Sequence, residues 1–265
     1  MLLAGPAAAQ QTLIRGIDHT PVVVADLEKA QADFRLLGFA IKPGRPHDDG
    51  IRNAHVKFRD GSEVELITPP SAVDALTTEY RAKLDRGEGP VYFGLYAPDR
   101  TELASRLQAA GVAGQQDGFG FFSRSPLHPL FFGMRNKSPT DRPEHFAHPN
   151  TALRLSGLWI RGRAEEQDLL AKLDVPLKSV RACGPLRGEA MVASFPEGEI
   201  MFVRPQPQTG DVIGARIEVR SLASLRALLW KNGVKTETYA ACDRKSVWVS
   251  PALAHGIWLQ FVEVR

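Results

Sequence analysis

Residues Gly16–Pro70 begin with Ile17-Asp18-His19-Thr20-Pro21-Val22-Val23-Val24 and end with Glu63-Val64-Glu65-Leu66-Ile67 before a pair of prolines. Both runs are rich in apolar and β-branched residues, which predicts two strands. The first strand carries a histidine and the second carries paired carboxylates. These side chains can share a metal only if the sheet curves and brings them together, so the rest of the chain decides whether a site exists.

Length and composition exclude several classes of function. The chain has 265 residues, enough for one large domain or two of ordinary size. Its 43% hydrophobic and 24% charged residues are typical of a globular protein with an ample core. The net charge is only +3 and basic residues are interspersed with acidic ones, which argues against nucleic-acid binding. No apolar run approaches the ~20 residues of a membrane span.

The N-terminus and the cysteines leave the cellular compartment open. Residues 1–11 contain a short apolar piece, a Gly-Pro break and a small-x-small site, as at the end of a secretory signal peptide. A disordered arm explains them equally well. The protein is periplasmic or secreted in the first case and cytoplasmic in the second. Cys183 and Cys242 lack metal-binding spacing, and whether they form a disulfide stays open.

One local pattern occurs four times. Each unit has an apolar strand, a polar turn, an amphipathic helix of about ten residues, a helix stop and further strands. The predicted helix N-caps include Asp26, Asp99 and Ser221. The predicted helix stops are Gly38, Gly111, Asp174 and Gly233. The repeat predicts an α+β fold of four βαβββ modules, paired into two curved-sheet halves.

The repeat also predicts the domain organisation. The predicted segments are a first half over 12–137 with modules 1 and 2, a linker over 138–149, and a second half over 150–265 with modules 3 and 4. Two segments lie outside the repeat. Ser71–Gly87 is predicted to be a helical connector with Leu76, Tyr80 and Leu84 on one side. The proline-rich segment Ser123–Asn150 is predicted to be an irregular crossover containing one strand.

These features resemble the vicinal oxygen chelate superfamily, and most closely its glyoxalase-like domain proteins. The motifs that carry the resemblance are Ile17-Asp18-His19, Leu37-Gly38-Phe39, Gly44-x-x-His47-x-x-Gly50-x-x-Asn53, Val64-Glu65-Leu66-Ile67, Phe131-Phe132, and Ala147-His148-Pro149-Asn150 before Leu153-Arg154-Leu155-Ser156-Gly157. The resemblance implies a curved sheet around a cup, where residues of first and fourth strands bind a divalent metal. Adjacent oxygens of a substrate then chelate that metal. Isomerases, ring-cleaving dioxygenases and metal-free binding proteins all share this fold, so fold alone does not choose among them.

The resemblance implies that His19 and Glu65 are metal ligands. A neutral imidazole with a carboxylate suits Zn, Fe, Mn, Ni or Co. Glu65 alternates with apolar neighbours, and burying a carboxylate is costly unless it is paired or bound to a cation. The alternatives are a hydrogen-bonded core histidine and a structural ion pair.

The other modules lack matching ligands. Met134, Met201 and Gln260 stand where carboxylates are expected, and the first strands of modules 2 to 4 lack the histidine. The second half is therefore predicted to be structural support. Catalytic zinc normally has three protein ligands, and the third is sought first at His47. His128, His145, His148, water or substrate are the other sources.

The remaining polar residues have more than one interpretation. His47 lies in a matched loop and is predicted to serve catalysis or substrate binding, although a loop histidine in water is equally consistent. His55 either lines the cup or lies on an exposed edge. His148 matches the family but is also explained as a cap. The residues predicted to be solvated or at the surface are Glu63, the loop Arg135-Asn136-Lys137, His145 and His255.

The sequence thus predicts a metal-dependent lyase, isomerase or dioxygenase that acts on a small oxygenated molecule. Glu65 or His47 would move the proton. The predicted substrate pocket contains His47, Asn53, Phe93, Phe131 and Met134. The alternatives are a metal-free protein that binds an aromatic or amphipathic small molecule in the same cup and an inert structural protein. A homodimer stays open.

Overall fold

A computed structural model describes residues 12–135, 137–203, 212–237, 239 and 246–264. The segment predicted to be a signal remnant, Asn136 and Cys242 lie outside the described residues. Cys183 is disulfide-bonded. None of the described helices is long and apolar enough to cross a membrane.

The first half contains two modules joined by a helix. Its elements in chain order are β1 (Gly16–Ile17), β2 (His19–Val23), α1 (Leu27–Leu36), β3 (Lys42–Pro43), β4 (Arg52–Lys57), β5 (Glu63–Thr68), α2 (Ala75–Leu84), β6 (Gly89–Pro90), β7 (Phe93–Tyr96), α3 (Arg100–Ala109), β8 (Gly114–Gln116), β9 (Gly120–Ser123) and β10 (Leu130–Gly133). The sheet of module 1 has the order β3-β4-β5-β2-β6 and the sheet of module 2 has the order β1-β7-β10-β9-β8. The short strands β1 and β6 each pair with the sheet of the neighbouring module.

The second half follows a short 3-10 helix over Pro143–Phe146. Its elements are β11 (Ala152–Arg161), α4 (Ala164–Lys172), β12 (Leu177–Ala182), a 3-10 helix (Gly184–Leu186), β13 (Gly188–Phe195), β14 (Gly198–Val203), β15 (Val212–Val219), α5 (Leu222–Lys231), β16 (Ser246–Val249) and β17 (Trp258–Glu263). They form one seven-stranded sheet in the order β12-β13-β14-β11-β15-β17-β16.

The predicted fold of repeated modules is confirmed. In each module the first strand pairs in parallel with the last one, as β2 with β5, β7 with β10, β11 with β14 and β15 with β17. The hairpin strands that precede the last strand complete the sheet on its other side. A helix separates the first strand from the rest, because a parallel pair needs a crossover connection.

Local sequence explains where the helices begin and end. Asp26, Asp99 and Ser221 act as N-caps, because their side chains accept hydrogen bonds from backbone N–H groups in the first turn. Gly38 follows the first helix with a φ of +83°, a conformation that favours glycine. The helix faces then bury apolar residues such as Phe34 against one face of the sheets. The other face of each sheet is left for the cup.

The connector helix α2 closes one end of the first cup. On α2, Tyr80 is buried against Val23, Ile51 and Ile67 with Leu84 beside it, as predicted. Leu76, predicted on the same side, is instead 39% exposed. Val23 and Ile67 lie on the same sheet face as His19 and Glu65, since they alternate with residues on the helix side. The helix α2 therefore connects the two modules and also packs against the cup face of the module 1 sheet.

The first strand changes sheet at Asp18. Ile17 pairs with Leu95 of β7 in the module 2 sheet, whereas His19 pairs with Glu63 of β5 in the module 1 sheet. Asp18 bonds to both, because its N–H donates to Gly94 O at 2.8 Å and its C=O accepts from Glu63 N at 3.2 Å. The strand therefore belongs to both sheets of the first half.

Candidate functional site

The structure brings His19 and Glu65 together on the cup face of the module 1 sheet. Nε2 of His19 lies 3.9 Å from Oε2 of Glu65. This separation is less than twice a typical metal–ligand bond of about 2.1 Å, so one cation can contact both atoms. The two strands are parallel neighbours, and their pairing places His19 beside Glu63 and Glu65 beside Pro21. The contact is diagonal across the strands.

A buried carboxylate stands behind the histidine. Oδ1 of Asp18 lies 2.5 Å from Nδ1 of His19, and Asp18 is only 4% exposed. The bond to Nδ1 leaves Nε2 directed at Glu65. Metal-binding histidines commonly bond through their second nitrogen to a carboxylate in this way.

An amide orients the glutamate. Nδ2 of Asn53 donates to Oε1 of Glu65 at 2.6 Å, which leaves Oε2 for the side facing His19. Gly44 makes room for this amide, because a Cβ there would lie 1.8 Å from Oδ1 of Asn53. Gly44 and Asn53 are also joined by a backbone bond of 3.0 Å. The loop glycine and the amide therefore act as one unit.

Aromatic rings form one wall of the cup beside His19. The Phe131 ring centroid lies 4.8 Å from that of His19, and Phe122 stacks on Phe131 at 5.6 Å. Phe131 occupies space that exists only because residue 94 is glycine, since a Cβ at Gly94 would lie 2.3 Å from the Phe131 ring. Phe131 is 4% exposed and Phe122 is 37% exposed, so Phe122 offers most of the apolar surface on this wall.

A second histidine–carboxylate pair lies on the same face. Nδ1 of His55 is 3.4 Å from Oε1 of Glu63, and Nζ of Lys57 is 4.0 Å from Oε2 of Glu63. The prediction that Glu63 is solvated is therefore wrong, because Glu63 is 3% exposed and packs among charged partners. Lys57 also bonds Asp141 at 2.7 Å, so the crossover is tied to this face.

The clustered charges shift several pKa values. Burial by itself lowers the pKa of His19, but the hydrogen bond and charge of Asp18, with the charges of Glu63 and Glu65, outweigh it and raise the pKa to about 9. Burial also lowers the pKa of His55, but the bond to Glu63 outweighs this effect, so that the pKa of His55 is raised. Burial would raise the pKa of Glu63, yet His55, His19 and Lys57 lower it. The face thus holds several carboxylates that attract cations.

No third ligand joins the pair in the part of the chain that the structure describes. No three His, Cys, Asp or Glu side chains there form a group that could hold a metal ion. His47 lies in the loop before β4, half-buried, and within the described residues its Nε2 is buried without a hydrogen-bond partner. Its role in catalysis or binding stays a prediction.

Two predicted pocket residues lie elsewhere. Phe93 belongs to the core cluster on the helix side of its sheet rather than to the cup. Met134 is 43% exposed and lines a crevice with Arg100, Leu103 and Phe132 near α3. The reason is strand alternation: Phe131 and Gly133 point to the cup, so Phe132 and Met134 point away from it. The predicted register for Met134 was off by one residue.

Other polar residues that were predicted at the surface are buried. Arg135 is buried, and its guanidinium bonds Ile17 O at 3.0 Å and Glu197 at 2.5 Å. His255 is buried between Glu88 and Asp33, at 2.8 and 3.0 Å. Both residues join the two halves of the chain, which sequence alone did not reveal.

His148 connects two backbone segments of the first half, whereas a cap at the entrance of the second half stays a prediction. Its Nδ1 accepts from Ala40 N at 3.0 Å, and its Nε2 lies 2.9 Å from Lys57 O. Burial lowers its pKa to about 4, although the bond to Lys57 O opposes this. His148 is therefore a neutral structural residue.

The second half contains no comparable constellation in its described residues. Trp159, Met201 and Trp248 fill its cup as a small apolar core. Where the first half carries His19 and its carboxylates, Arg216 bonds Glu199 at 2.5 Å and Gln260 at 3.1 Å. Arg216 lies beside Gln260 in the strand pairing, as Pro21 lies beside Glu65 in module 1. The structural role of the second half stays a prediction.

Sequence reasoning missed Asp18 and its link to His19. The signal was present as an Asp-His pair at the start of an apolar strand. Strict alternation puts Asp18 on the side opposite to His19, so the pair predicts no contact. Only the change of sheet at Asp18 turns its carboxylate toward the imidazole.

Comparison with known proteins places this geometry in a family. The profile described as the glyoxalase-like domain matches residues 17–173, which includes the whole candidate site. No curated protein matches the chain.

Several solved structures share the fold at low sequence identity. The 2,3-dioxygenase LapB from Pseudomonas sp. KL28 has a TM-score of 0.66 and 17% identity, with 96% of this chain and 94% of that chain covered. A variant of 4-hydroxymandelate synthase from Streptomyces coelicolor has a TM-score of 0.66 and 12% identity, with 94% and 92% covered. A fusion of a xylose isomerase-like TIM barrel with a 4-hydroxyphenylpyruvate dioxygenase has a TM-score of 0.67 and 10% identity, with 97% of this chain covered. The chain spans 50% of the fusion protein. At these identities the likeness concerns the fold alone.

Proposed function

Because this chain belongs to the glyoxalase-like domain family, we propose that it is a metal-dependent enzyme acting on a small oxygenated organic molecule. The reaction would be of lyase, isomerase or dioxygenase type. The family and the vicinal oxygen chelate fold support this class, while the substrate and the metal are part of the proposal.

One observation carries the proposal. His19 Nε2 and Glu65 Oε2 face each other at 3.9 Å, and each is oriented from behind, by Asp18 and by Asn53. A structural ion pair needs no such support, whereas a metal site does. An imidazole and a carboxylate suit Zn, Fe, Mn, Ni or Co. Two protein ligands leave several coordination positions for water and for a chelating substrate.

The residues around this pair have defined roles in the proposal. A divalent cation held by His19 and Glu65 would act as a Lewis acid toward oxygens of the substrate. Glu65 or His47 would accept or return a proton at the carbon next to that oxygen. Phe131 and Phe122 would hold the apolar part of the molecule and exclude water from this side of the cup.

The second candidate is a metal-free protein that binds a small aromatic or amphipathic molecule. The stacked rings of Phe131 and Phe122 favour it, as does the finding that no group of three metal-binding side chains exists among the described residues. In that case His19 and Glu65 form an ion pair that contributes polar contacts to the ligand. The same cup serves both candidates.

Metal analysis of tag-free protein separates the two. We expect about one equivalent of a transition metal per chain after purification or after adding Mn, Fe, Ni, Zn or Co. The variants His19→Ala and Glu65→Gln should lose it, while His145→Ala, at the crossover, should keep it. Content near zero in the wild-type chain, with no gain on adding any of the five ions, would refute the metal-dependent function.

A further inference from the structure

Asp18 occupies the junction between the two sheets of the first half. Its backbone bonds Gly94 on one side and Glu63 on the other, so its position is fixed from both sheets. Its side chain is buried and makes two contacts. Oδ1 lies 2.5 Å from Nδ1 of His19, and Oδ2 accepts from the backbone N–H of Arg135 at 2.5 Å.

Two glycines make room for this carboxylate. A Cβ on Gly133 would lie 2.5 Å from the Asp18 carboxyl group, and a Cβ on Gly94 would lie 3.1 Å from Cβ of Asp18. Both glycines belong to module 2, whereas His19 and Glu65 belong to module 1. Module 2 thus supplies the space behind the histidine rather than a metal ligand of its own.

We propose that Asp18 is a positioning residue that fixes the tautomer of His19, so that the lone pair of Nε2 faces Glu65. A carboxylate can only accept hydrogen bonds, so in the neutral imidazole the proton must lie on Nδ1. The lone pair of Nε2 is then available to a cation between His19 and Glu65. The tautomer of His19 is inferred from the contacts of Asp18. That the free lone pair binds a cation rests on the proposed metal-dependent function.

The variant Asp18→Asn tests the inference because it exchanges donor and acceptor in the hydrogen bond to Nδ1 of His19. The size of the side chain at residue 18 stays nearly the same. The backbone N–H of Arg135 is a fixed donor, so it selects the amide oxygen of the new side chain. The amide nitrogen then faces Nδ1 of His19 and donates to it. Nδ1 becomes the acceptor, the proton moves to Nε2, and the lone pair needed for a cation is lost.

The first measurement is calorimetric titration with Zn²⁺ or Co²⁺ alone. We expect Asp18→Asn to bind these ions 10–100-fold more weakly than the wild-type chain, the usual effect of losing a carboxylate behind a metal-binding histidine. The matched control is Asp33→Asn, which removes the aspartate 3.0 Å from Nε2 of His255, away from the cup. It should bind the ions as the wild-type chain does.

The second measurement does not depend on any metal. Long-range ¹H–¹⁵N correlation spectra of the metal-free protein report which ring nitrogen carries the proton. They are recorded above the pKa of His19, which is raised to about 9, with the His19→Gln variant to assign the signal. We expect the Nδ1–H tautomer in the wild-type chain and the Nε2–H tautomer in Asp18→Asn.

The two measurements separate this inference from the proposed function. The same tautomer in both proteins overturns the inference, as does unchanged ion affinity despite a changed tautomer. If the wild-type chain binds neither Zn²⁺ nor Co²⁺, the tautomer alone decides the role of Asp18, and the metal analysis with all five ions decides the proposed function. If Asp18→Asn does not fold, Gly133→Ala replaces it, because the added Cβ displaces the carboxylate while keeping its charge; it should also weaken binding, and unchanged binding overturns the inference.

Discussion

Nδ2 of Asn53 donates to Oε1 of Glu65 at 2.6 Å, which holds the glutamate so that Oε2 lies 3.9 Å from Nε2 of His19. We therefore expect Asn53→Ala to weaken Zn²⁺ or Co²⁺ binding about 10-fold, since the carboxylate loses its orienting donor. Calorimetry on the purified variant measures this. Asn232→Ala, which removes a bond to Leu36 O outside the cup, is the control. Equal affinity of Asn53→Ala and wild type would contradict the prediction.

Acid should destabilise the protein through His148. The pKa of this histidine is lowered from 6.5 to about 4 in the folded state. Between these values the unfolded chain takes up a proton that the folded chain does not. The stability linked to His148 is therefore complete above the unfolded pKa and is lost as the pH falls toward the folded one. The loss amounts to about 3 kcal/mol at most.

The variant His148→Gln tests this pH dependence, because a glutamine can accept from Ala40 N and donate to Lys57 O without titrating. Denaturant unfolding at neutral pH and near the folded pKa should show a smaller decrease in unfolding free energy for His148→Gln than for wild type. His145→Gln should keep the wild-type decrease. Parallel decreases in all three proteins would exclude His148 as the cause.

Arg135 should stabilise the contact between the two halves. Its buried guanidinium bonds Glu197 at 2.5 Å and lies 3.4 Å from Asp60. We expect Arg135→Met to lower the unfolding free energy by about 3 kcal/mol, because it leaves these carboxylates short of a partner. The exposed pair of Arg106 and Asp174 provides the control, and Arg106→Met should leave stability nearly unchanged. A small effect at Arg135 would mean that Arg15, 2.9 Å from Glu197, compensates.

Gly38 should tolerate no side chain, for two separable reasons. Its φ of +83° disfavours other residues, and a Cβ there would lie 2.3 Å from Leu228 of the second half. Gly111 has a similar φ of +73°, but a Cβ added there would meet no neighbouring atom within 4 Å. We expect Gly111→Ala to cost about 1–2 kcal/mol from backbone strain alone. Gly38→Ala should cost about 1–3 kcal/mol more, from overpacking.

Thermal or denaturant unfolding of the two glycine variants gives the comparison directly. The difference between them reports the packing of Gly38 against Leu228 of α5 and against Asn150, whose Cβ would lie 2.8 Å from the added Cβ. Equal losses would show that the second half moves away at little cost.

Local features of the sequence determined the modules. The strand runs, the caps Asp26, Asp99 and Ser221, and the stop at Gly38 depend on near neighbours in the chain, so their positions follow from propensity and spacing. Their fourfold repetition predicted the α+β fold of four βαβββ modules, whereas the parallel pairing of each first strand with the last was seen only in the structure. The resemblance to the vicinal oxygen chelate superfamily, carried by motifs along the chain, pointed to His19 and Glu65 as candidate ligands.

Tertiary structure decided which side chains meet. Whether Glu63 is solvated, and whether Met134 or Gly133 faces the cup, depends on the register between strands that lie far apart in sequence. A one-residue difference in register reverses the face of every side chain. The partnership of Asp18 with His19 depends on a strand that leaves one sheet and enters another. The sequence alone determined the fold and the pair of candidate ligands, His19 and Glu65. The pairing of the sheets in three dimensions decided which side chains surround this pair. The reason is that hydrogen-bond register and sheet curvature arise only when distant strands pack together.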